Sequence, residues 1–480
     1  MNDDALLALS AVELGRRIRT LELSPVELTE AVLARIEELN PVLCAFVTVT
    51  GELALAQARA AAERAVAGEL TGPLDGIPFS IKDLEATAGI RTTYGSRFTA
   101  DFVPDFDSIT AGRLRASGGA LLGKTNTPHL GYKDSCDNLV AATAVNPWDP
   151  ARTPGGSSGG AAAAVAAGLG PVAQGSDGAG SIRTPSSLCG VVGLKPSFGL
   201  VPVAPSSDHW AARVHNGPIA RSVADVALLL GVMAGADAAD PLSFGEPGTV
   251  WSGAPTDVRG LRVAWSADFG YGAVDPDVRR LCEAAVGKLA NLGADVESCD
   301  PTWTDPGDFH RTLYSVGLAT ALADRAAEHP EWVEPTLHAL IERGLSCSAR
   351  QLKEAEMARS AFFDRAREFF CRFDILVSPT LPLTAWPLTN GEGPMEVAGH
   401  SLAPNQRRSF FVYPFNLTGQ PALSLPCGLD PSGLPVGVQI VGRQRHDDLV
   451  LGVSAALEEA LDLRLPLADP RVRATAGSAA

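Results

Sequence analysis

The spacing of apolar residues changes along the chain and predicts alternating helices and strands. Residues 5–67 carry apolar positions every three or four residues, which predicts amphipathic helices. Ser24 before Pro25, with Glu27 three residues after the serine, is typical of a helix start with a capping box. The short apolar runs 77–81 and 119–123 instead favour buried strands.

The same alternation continues downstream. Ala-rich stretches at 160–167 and 221–234, and the segments 275–292 and 447–461, predict helices. The runs 261–265, 374–378 and 436–441 favour strands. Residues 301–366 form a mostly helical insert that could cap a pocket. Helices that alternate with apolar strands predict an α/β layered fold.

Composition narrows the class of protein. The chain has 480 residues, 46% of them hydrophobic and 20% charged, as in ordinary globular proteins. A net charge of −16 argues against a nucleic-acid partner. Its eight cysteines are scattered, without C-x-x-C pairs or a His/Cys ligand cluster, so we expect a cytoplasmic protein without a bound metal. The acidic start differs from a secretory signal, and the apolar run 161–173 is too short to span a bilayer, so we expect no membrane partner.

Three segments carry the candidate chemistry. They are GIPFSIKD at 76–83, GGSSGG at 155–160 and GSDGAGSIR at 175–183. Together they supply Lys82, Ser157 and Ser181. A lysine and two serines in glycine-rich backbone suggest a serine nucleophile activated without a histidine base.

The residues alone leave other interpretations of the GGSSGG segment open. Ser157 also fits the G-x-S-x-G nucleophile elbow, with His209 and His215 downstream, although turn-like residues 146–150 stand where a strand should precede it. A phosphate-binding nest at the start of the following helix is another interpretation. No Lys-Ser/Thr follows the glycines, which weakens a P-loop.

Lys82 has the sequence context of a general base. It ends an apolar predicted strand, where Phe79, Ile81 and Leu84 would remove water from its ammonium group and lower its pKa. An ordinary lysine, with a pKa of about 10.4, is almost wholly protonated at neutral pH and could not act as a base. An ion pair with Asp83 is the structural alternative, but neighbouring strand residues point to opposite faces.

The three segments closely resemble the amidase signature family. The resemblance continues through GKTNTP at 123–128, NPWD at 146–149, GLKPS at 193–197, NLTGQPA at 416–422 and GLPVGVQ at 433–439. It covers roughly residues 5 to 460 and is weakest at 303–350. This resemblance implies an α/β fold with a large mixed twisted central sheet covered by helices on both sides.

The resemblance also implies one domain over residues 1–480. Its expected parts are an N-terminal helical region at about 5–67, a catalytic core at about 70–235, a variable helical insert at about 301–366, a C-terminal part at about 370–465 and a loose tail at 470–480.

The resemblance assigns roles to the catalytic residues. Ser181 would be the nucleophile, Ser157 the bridging serine in a cis peptide bond, and Lys82 the base. The oxyanion hole would be formed by backbone N–H groups of Gly178, Ala179, Gly180 and Ser181. Supporting roles fall to Ser158, Asp177 and Arg183, the last two as an ion pair that orients the loop, with a surface ion pair as the alternative.

Two departures and a predicted pocket complete the site. Ala179 stands where relatives usually have glycine, and its methyl group would narrow the hole if the backbone there needs a positive φ. His129 stands where many relatives have glutamate, and we expect it to affect packing or pocket shape. The substrate pocket is predicted at Tyr132, Ser135 and Trp210, with core packing as the alternative for the two aromatic residues.

The implied function is hydrolysis of amides through an acyl-enzyme on Ser181, without a metal or an organic cofactor. Small neutral or aromatic amides such as anilides are the expected substrates, and esters and carbamates (urethanes) remain open. One alternative is the glutamine-hydrolysing subunit of a tRNA amidotransferase, and another is an inactive binding or scaffold protein of the same fold. A homodimer is compatible with the sequence, which contains nothing that establishes one.

Overall fold

The structure is a computed structural model that describes residues 3–210, 213–388, 396–402 and 408–471. Residues 472–480, most of the predicted tail, lie outside the described residues. Its α-helices are α1 Asp3–Leu7, α2 Ala11–Arg19, α3 Pro25–Leu43, α4 Gly51–Ala67, α5 Ile109–Ala116, α6 Gly159–Ala166, α7 Arg183–Cys189, α8 Val223–Met233, α9 Pro276–Asn291, α10 Gly307–Glu328, α11 Pro335–Leu345, α12 Ala349–Arg372, α13 Pro414–Thr418 and α14 Asp447–Leu461. Its strands are β1 Phe46–Val49, β2 Pro78–Lys82, β3 Ala120–Thr125, β4 Val172–Asp177, β5 Val192–Lys195, β6 His215–Ala220, β7 Arg262–Trp265, β8 Asp295–Ser298, β9 Ile375–Pro379, β10 Glu396–Val397, β11 His400–Ser401, β12 Ala422–Leu429 and β13 Pro435–Gly442.

Eleven of these strands form one mixed sheet, in the order β1-β3-β2-β4-β6-β5-β12-β13-β9-β7-β8. Strand β2 is parallel to β3 and to β4, and β7 is parallel to β8 and to β9. The remaining pairings in this sheet are antiparallel. The predicted large mixed sheet is therefore confirmed, and it takes strands from the first and the last hundred residues of the chain.

The centre of the sheet is covered on both faces. Every residue of β2, β3, β4 and β6 is buried. Since successive residues of a strand point to opposite faces, complete burial requires covering layers on both sides. Helix α6 lies against β4, and α8 lies against β6.

The local predictions hold in type more closely than in detail. The runs predicted as strands at 77–81 and 119–123 correspond to β2 and β3. Ser24 does begin α3, but its Oγ accepts the N–H of Val26 at 3.2 Å, so the capping box predicted with Glu27 is wrong. Residues 5–67 were predicted as helical throughout, but they include strand β1, which pairs with β3.

The topology brings the candidate residues to one edge of the sheet. Lys82 is the last residue of β2, and Asp177 is the last residue of β4. Since these two strands are parallel, their carboxyl ends meet at the same edge. Residues 178–182 connect β4 to α7. Ser181 therefore lies in a loop at the same edge of the sheet as Lys82.

Candidate active site

The ammonium group of Lys82 lies among serine oxygens in the protein interior. The side chain is fully buried. Its Nζ lies 2.7 Å from the Oγ of Ser157 and 2.9 Å from the Oγ of Ser158. Ser176 contributes its Oγ at 3.1 Å and its carbonyl oxygen at 3.4 Å. None of these four oxygens carries a formal charge, so hydrogen bonds hold the lysine without an ion pair.

Burial lowers the pKa of Lys82 to about 7. The charged form loses its hydration in the interior, and the negative charges of Asp177 and Glu85 offset only part of that loss. A substantial fraction of the amine is therefore neutral at neutral pH, as its position at the end of an apolar strand predicts. Asp83 is not its partner, because that carboxylate accepts the N–H of Thr93 at 3.0 Å.

Ser157 is held in a tightly packed turn. The Gly156–Ser157 peptide bond is cis, and the serine is only 2% exposed. A Cβ at Gly131 would lie 2.9 Å from Ser157 Oγ, and a Cβ at Gly156 would lie 2.7 Å from the backbone of Ser135. These contacts leave no room for a side chain at either glycine. The backbone of Gly131 therefore packs directly against Ser157, and that of Gly156 against Ser135.

Ser181 lies beside this turn and is less deeply buried. Ser158 donates its N–H to the carbonyl oxygen of Ser181 at 3.0 Å, which joins the GGSSGG turn to the loop after β4. Ser181 is partly exposed, whereas Ser157 and Lys82 are buried. The amine of Lys82 is thus buried, whereas Ser181 is accessible from solvent.

A buried ion pair organises the loop that carries Ser181. Arg183 Nε lies 3.0 Å from Asp177 Oδ2, and its Nη2 lies 3.0 Å from Oδ1. Both side chains are completely buried, so the alternative of a surface ion pair is wrong. The positive charge of Arg183 holds the pKa of Asp177 well below its usual range. Asp177 also accepts the N–H groups of Gly180 at 2.7 Å and Ile182 at 3.2 Å, which fixes the loop around the serine.

Two residues from distant parts of the chain complete this network. Asn416 accepts a hydrogen bond from Arg183 Nη2 at 2.8 Å and donates one to Asp177 Oδ1 at 2.8 Å. Gln439 accepts from Arg183 Nη1 at 2.8 Å and donates to the carbonyl of Phe411 at 2.9 Å. Both residues lie in the family-like motifs at 416–422 and 433–439, but those motifs alone assigned neither residue a role.

The backbone around the expected oxyanion hole answers the question raised by Ala179. Gly180 has a φ of 109°, and a Cβ there would lie 2.3 Å from Val412 Cγ2. Ala179 is not among the described non-glycine residues with positive φ, so its methyl group adds no strain of that kind. The methyl group packs against a cluster of aromatic side chains that includes Phe410 and Phe411.

The three predicted pocket residues have different surroundings. Tyr132 is buried, and its hydroxyl lies 2.6 Å from Thr336 Oγ1 of α11, so it packs between the core and the insert. Ser135 donates to Asp137 at 2.6 Å. Trp210 is 76% exposed and is not packed in the core. His129 is buried, with Nδ1 3.3 Å from Glu334, and its role in packing against the insert agrees with expectation.

Within the described ranges, the structure offers neither a metal site nor a membrane span. These ranges contain no group of three or more His, Cys, Asp or Glu residues placed to hold a metal ion. They likewise include no helix with the length and hydropathy needed to cross a membrane.

Comparison with known proteins decides the family. A model of the Amidase family matches residues 27–451. This chain belongs to the Amidase family. It is 40% identical over 462 residues to an acylamidase of Rhodococcus erythropolis, covering 95% of this chain and 96% of that one. It is also 36% identical over 495 residues to a glutamyl-tRNA(Gln) amidotransferase subunit of Synechococcus sp. (strain JA-2-3B'a(2-13)), with 97% and 95% of the two chains covered.

A solved structure agrees with this assignment. A bacterial aryl acylamidase of the amidase signature family superposes with a TM-score of 0.88 at 31% identity, over 94% of this chain and 96% of that one. The Amidase family member described here is therefore a hydrolase of carbon–nitrogen bonds other than peptide bonds. The nucleophile-elbow interpretation of Ser157 is wrong, because the chain has an amidase fold in which the Ser157 hydroxyl contacts a lysine.

Proposed function

We propose that this amidase hydrolyses small aromatic amides, anilides first among them, through an acyl-enzyme on Ser181. The observation that carries the proposal is the 2.7 Å contact between Lys82 Nζ and Ser157 Oγ, in a buried site where the pKa of the lysine falls to about 7. A neutral amine at that distance can accept the proton of the hydroxyl.

In the proposed relay, protons move inward as the nucleophile attacks. Ser181 Oγ attacks the amide carbonyl and passes its proton to Ser157, whose own proton goes to Lys82. The C–N bond breaks, and the departing amine takes a proton returned along the same path. Water then attacks the ester on Ser181 and releases the acid. Ser158 and Ser176 keep the lysine oriented through their hydroxyl groups.

The developing oxyanion needs donors near Ser181. We assign this role to the backbone N–H groups of Gly178, Ala179 and Ser181, since the N–H of Gly180 already donates to Asp177. This assignment narrows the hole expected from the family resemblance, which included Gly180. One such donor typically contributes about 10²–10³ in rate.

The proposed substrate class rests on two observations. The acylamidase relative and the aryl acylamidase structure cover nearly the whole chain. Ala179, in the proposed oxyanion loop, packs against a cluster of buried aromatic side chains that includes Phe410 and Phe411. Aromatic surroundings favour flat apolar substrates. Aryl esters and carbamates, including urethanes, undergo the same carbonyl attack and are secondary candidates.

Glutamine hydrolysis within a tRNA amidotransferase is the second candidate function. It is favoured by the 36% identity to one component of such an enzyme. It predicts release of ammonia from glutamine and a stable complex with a partner. An inactive scaffold is disfavoured, because Lys82, Ser157 and Ser181 are all present and two of them are in contact.

The test is release of amine from a panel of anilides, primary amides, glutamine, aryl esters and carbamates. We expect anilides to be turned over fastest, and Ser181→Ala to lose that turnover. Ser252→Ala, which changes an exposed serine far along the chain, is the matched control. A Ser181→Ala enzyme as active as the control would refute the nucleophile, and a ranking led by glutamine would favour the amidotransferase function.

We also propose a cytoplasmic location. All eight cysteines are free, two of them with sulfur atoms 3.9 Å apart, as a reducing compartment would keep them. Cell fractionation with an antibody tests this, and recovery in an extracellular or membrane fraction would refute it.

A further inference from the structure

Arg213 lies next to the loop that carries Ser181. In the antiparallel pairing of β4 with β6, His215 is opposite Asp177. The pairing ends there, so Arg213 lies two residues before the last pair on one strand and Ala179 two residues after it on the other. A contact agrees with this placement, since a Cβ at Gly178 would lie 3.6 Å from Val214 Cγ2.

Asn416 fixes the backbone of Arg213 against the same loop. Its Nδ2 lies 2.8 Å from the carbonyl oxygen of Asp177 and 3.4 Å from that of Arg213. Arg213 is therefore held by the network that positions the proposed nucleophile.

The guanidinium group of Arg213 is only partly satisfied. Its Nη2 donates to the carbonyl oxygen of Leu313 in α10 at 3.2 Å, and the group lies 6.0 Å from the ring of Tyr314. Its Nη1 is buried without a hydrogen-bond partner. Buried polar groups in folded proteins are nearly always paired, because a buried donor without an acceptor loses its hydration and gains nothing in return.

The surrounding charges do not compensate for this. Burial and the nearby charge of Arg359 lower the pKa of Arg213 to about 10, while Asp208 and Tyr314 act in the opposite direction. Arg359 is itself bound through Nε to the carbonyl oxygen of Leu417 at 2.8 Å. Two guanidinium groups thus lie near each other, and the unpaired Nη1 belongs to Arg213, whose backbone lies beside the proposed oxyanion loop.

We propose that Arg213 is a carboxylate-binding subsite of this active site, so that preferred aromatic amides carry a carboxylate on the acyl or the amine portion. This rests on the proposed function. A carboxylate oxygen would pair with Nη1 through a charge-assisted hydrogen bond, and the planar guanidinium group suits that geometry. The subsite and the nucleophile would then hold two ends of one substrate.

Two matched substrate pairs test the subsite on either side of the amide. The first pair is 4-acetamidobenzoate and 4-acetamidobenzamide, which differ on the amine portion. The second pair is N-phenylsuccinamic acid and its primary amide, which differ on the acyl portion. We expect kcat/KM to favour the carboxylate in one pair by about 10- to 100-fold. Arg213→Gln should reduce that ratio to near one.

Two further variants separate recognition from folding. Arg213→Lys keeps the charge without the planar fork and should retain part of the ratio. Arg259→Gln, at an exposed arginine paired with Asp257, should keep all of it. If Arg213→Gln does not fold, the Lys variant decides, and a ratio unchanged in that variant overturns the subsite.

A binding measurement separates failure of the subsite from failure of the proposed function. Calorimetry of benzoate and benzamide with the Ser181→Ala protein needs no turnover. Benzoate binding that weakens at least about tenfold in the Ser181→Ala/Arg213→Gln protein supports the subsite even if every amide is inert. If amides are hydrolysed in both pairs without preference for the carboxylate, or benzoate binds both proteins alike, the subsite is wrong and the amidase proposal stands.

Discussion

Two buried lysines on neighbouring parallel strands show what distinguishes a proposed base from a structural cation. Lys82 ends β2, and Lys124 lies near the end of β3, opposite Ile81 in the register. Burial lowers the pKa of Lys82 to about 7 and that of Lys124 to about 8. Both ammonium groups contact hydroxyl and carbonyl oxygens, so burial and hydrogen bonding alone do not separate them.

The difference lies in what surrounds each amine. Lys124 donates to the carbonyl of Glu85 and to Thr87 Oγ1 at 2.8 Å, and the charges of Asp83 and Glu85 raise its pKa against burial. These contacts end within the core. The partners of Lys82 instead lead through the GGSSGG turn to the partly exposed Ser181. Lys82 is therefore joined to Ser181 through one hydroxyl contact and one backbone hydrogen bond, which is why we propose it, and not Lys124, as the base.

Replacement of Lys82 should produce the largest effect. Lys82→Ala removes the proposed proton acceptor, and we expect amide hydrolysis to fall by at least ~10³-fold with the fold retained. Amine release and circular dichroism on the same preparation measure both properties. Full activity at neutral pH would contradict the relay.

Replacement of Lys124 should instead affect stability. Lys124→Met leaves the buried carboxyl groups of Asp83 and Glu85 without their nearby cation, and we expect the free energy of unfolding to fall by about 3 kcal/mol. Denaturant titration measures this, together with kcat/KM for the folded fraction. If both lysine variants lost activity equally and kept their stability, the distinction between the two lysines would fail.

A methyl group at Gly131 should disturb the contact between Ser157 and Lys82 and leave the surroundings of Lys124 unchanged. Gly131 has a φ of 69°, and a Cβ there would lie 2.9 Å from Ser157 Oγ. Since a displacement of about 1 Å costs roughly 10²-fold in rate, Gly131→Ala should lower kcat by about that factor. Gly89→Ala is the matched control, with a φ of 73° and nothing within 4 Å of the new Cβ. Equal losses in the two variants would assign the effect to backbone strain.

The pH profile should report the ionisation of Lys82. Only the neutral amine accepts a proton, so below its pKa of about 7 the log of kcat/KM should rise by about one for each pH unit and level off above it. Steady-state rates between about pH 5 and 9 test this for a substrate without ionisable groups. A flat profile across that range would show that the protonated lysine is compatible with turnover.

The smallest effect is expected at Ala179. Because its φ is not positive, Ala179→Gly should change kcat/KM by less than about twofold. Gly180→Ala is the contrasting variant, since its φ is 109° and its new Cβ would lie 2.3 Å from Val412. A large gain in rate for Ala179→Gly would show that the methyl group crowds the oxyanion hole after all.

The local motifs determined much of this site. A lysine at the end of an apolar run, glycines around Ser157 and an Asp-Arg pair flanking Ser181 all lie within short segments of the sequence. A continuous apolar run indicates a strand that is buried on both faces, and burial lowers the pKa of the lysine at its end. The apolar run thus indicated a buried lysine, whereas the pairing of Asp177 with Arg183 was implied by the family resemblance.

Only the tertiary structure decided which distant residues meet there. Asn416 and Gln439 reach Arg183 across 233 and 256 positions of the chain, and no periodicity indicates such contacts. Trp210 and Arg213 lie close together in the sequence. The tryptophan is nevertheless exposed, while a guanidinium nitrogen of the arginine is buried. Sheet order and packing set these outcomes, because they depend on which strands become neighbours and on which side chains the insert covers.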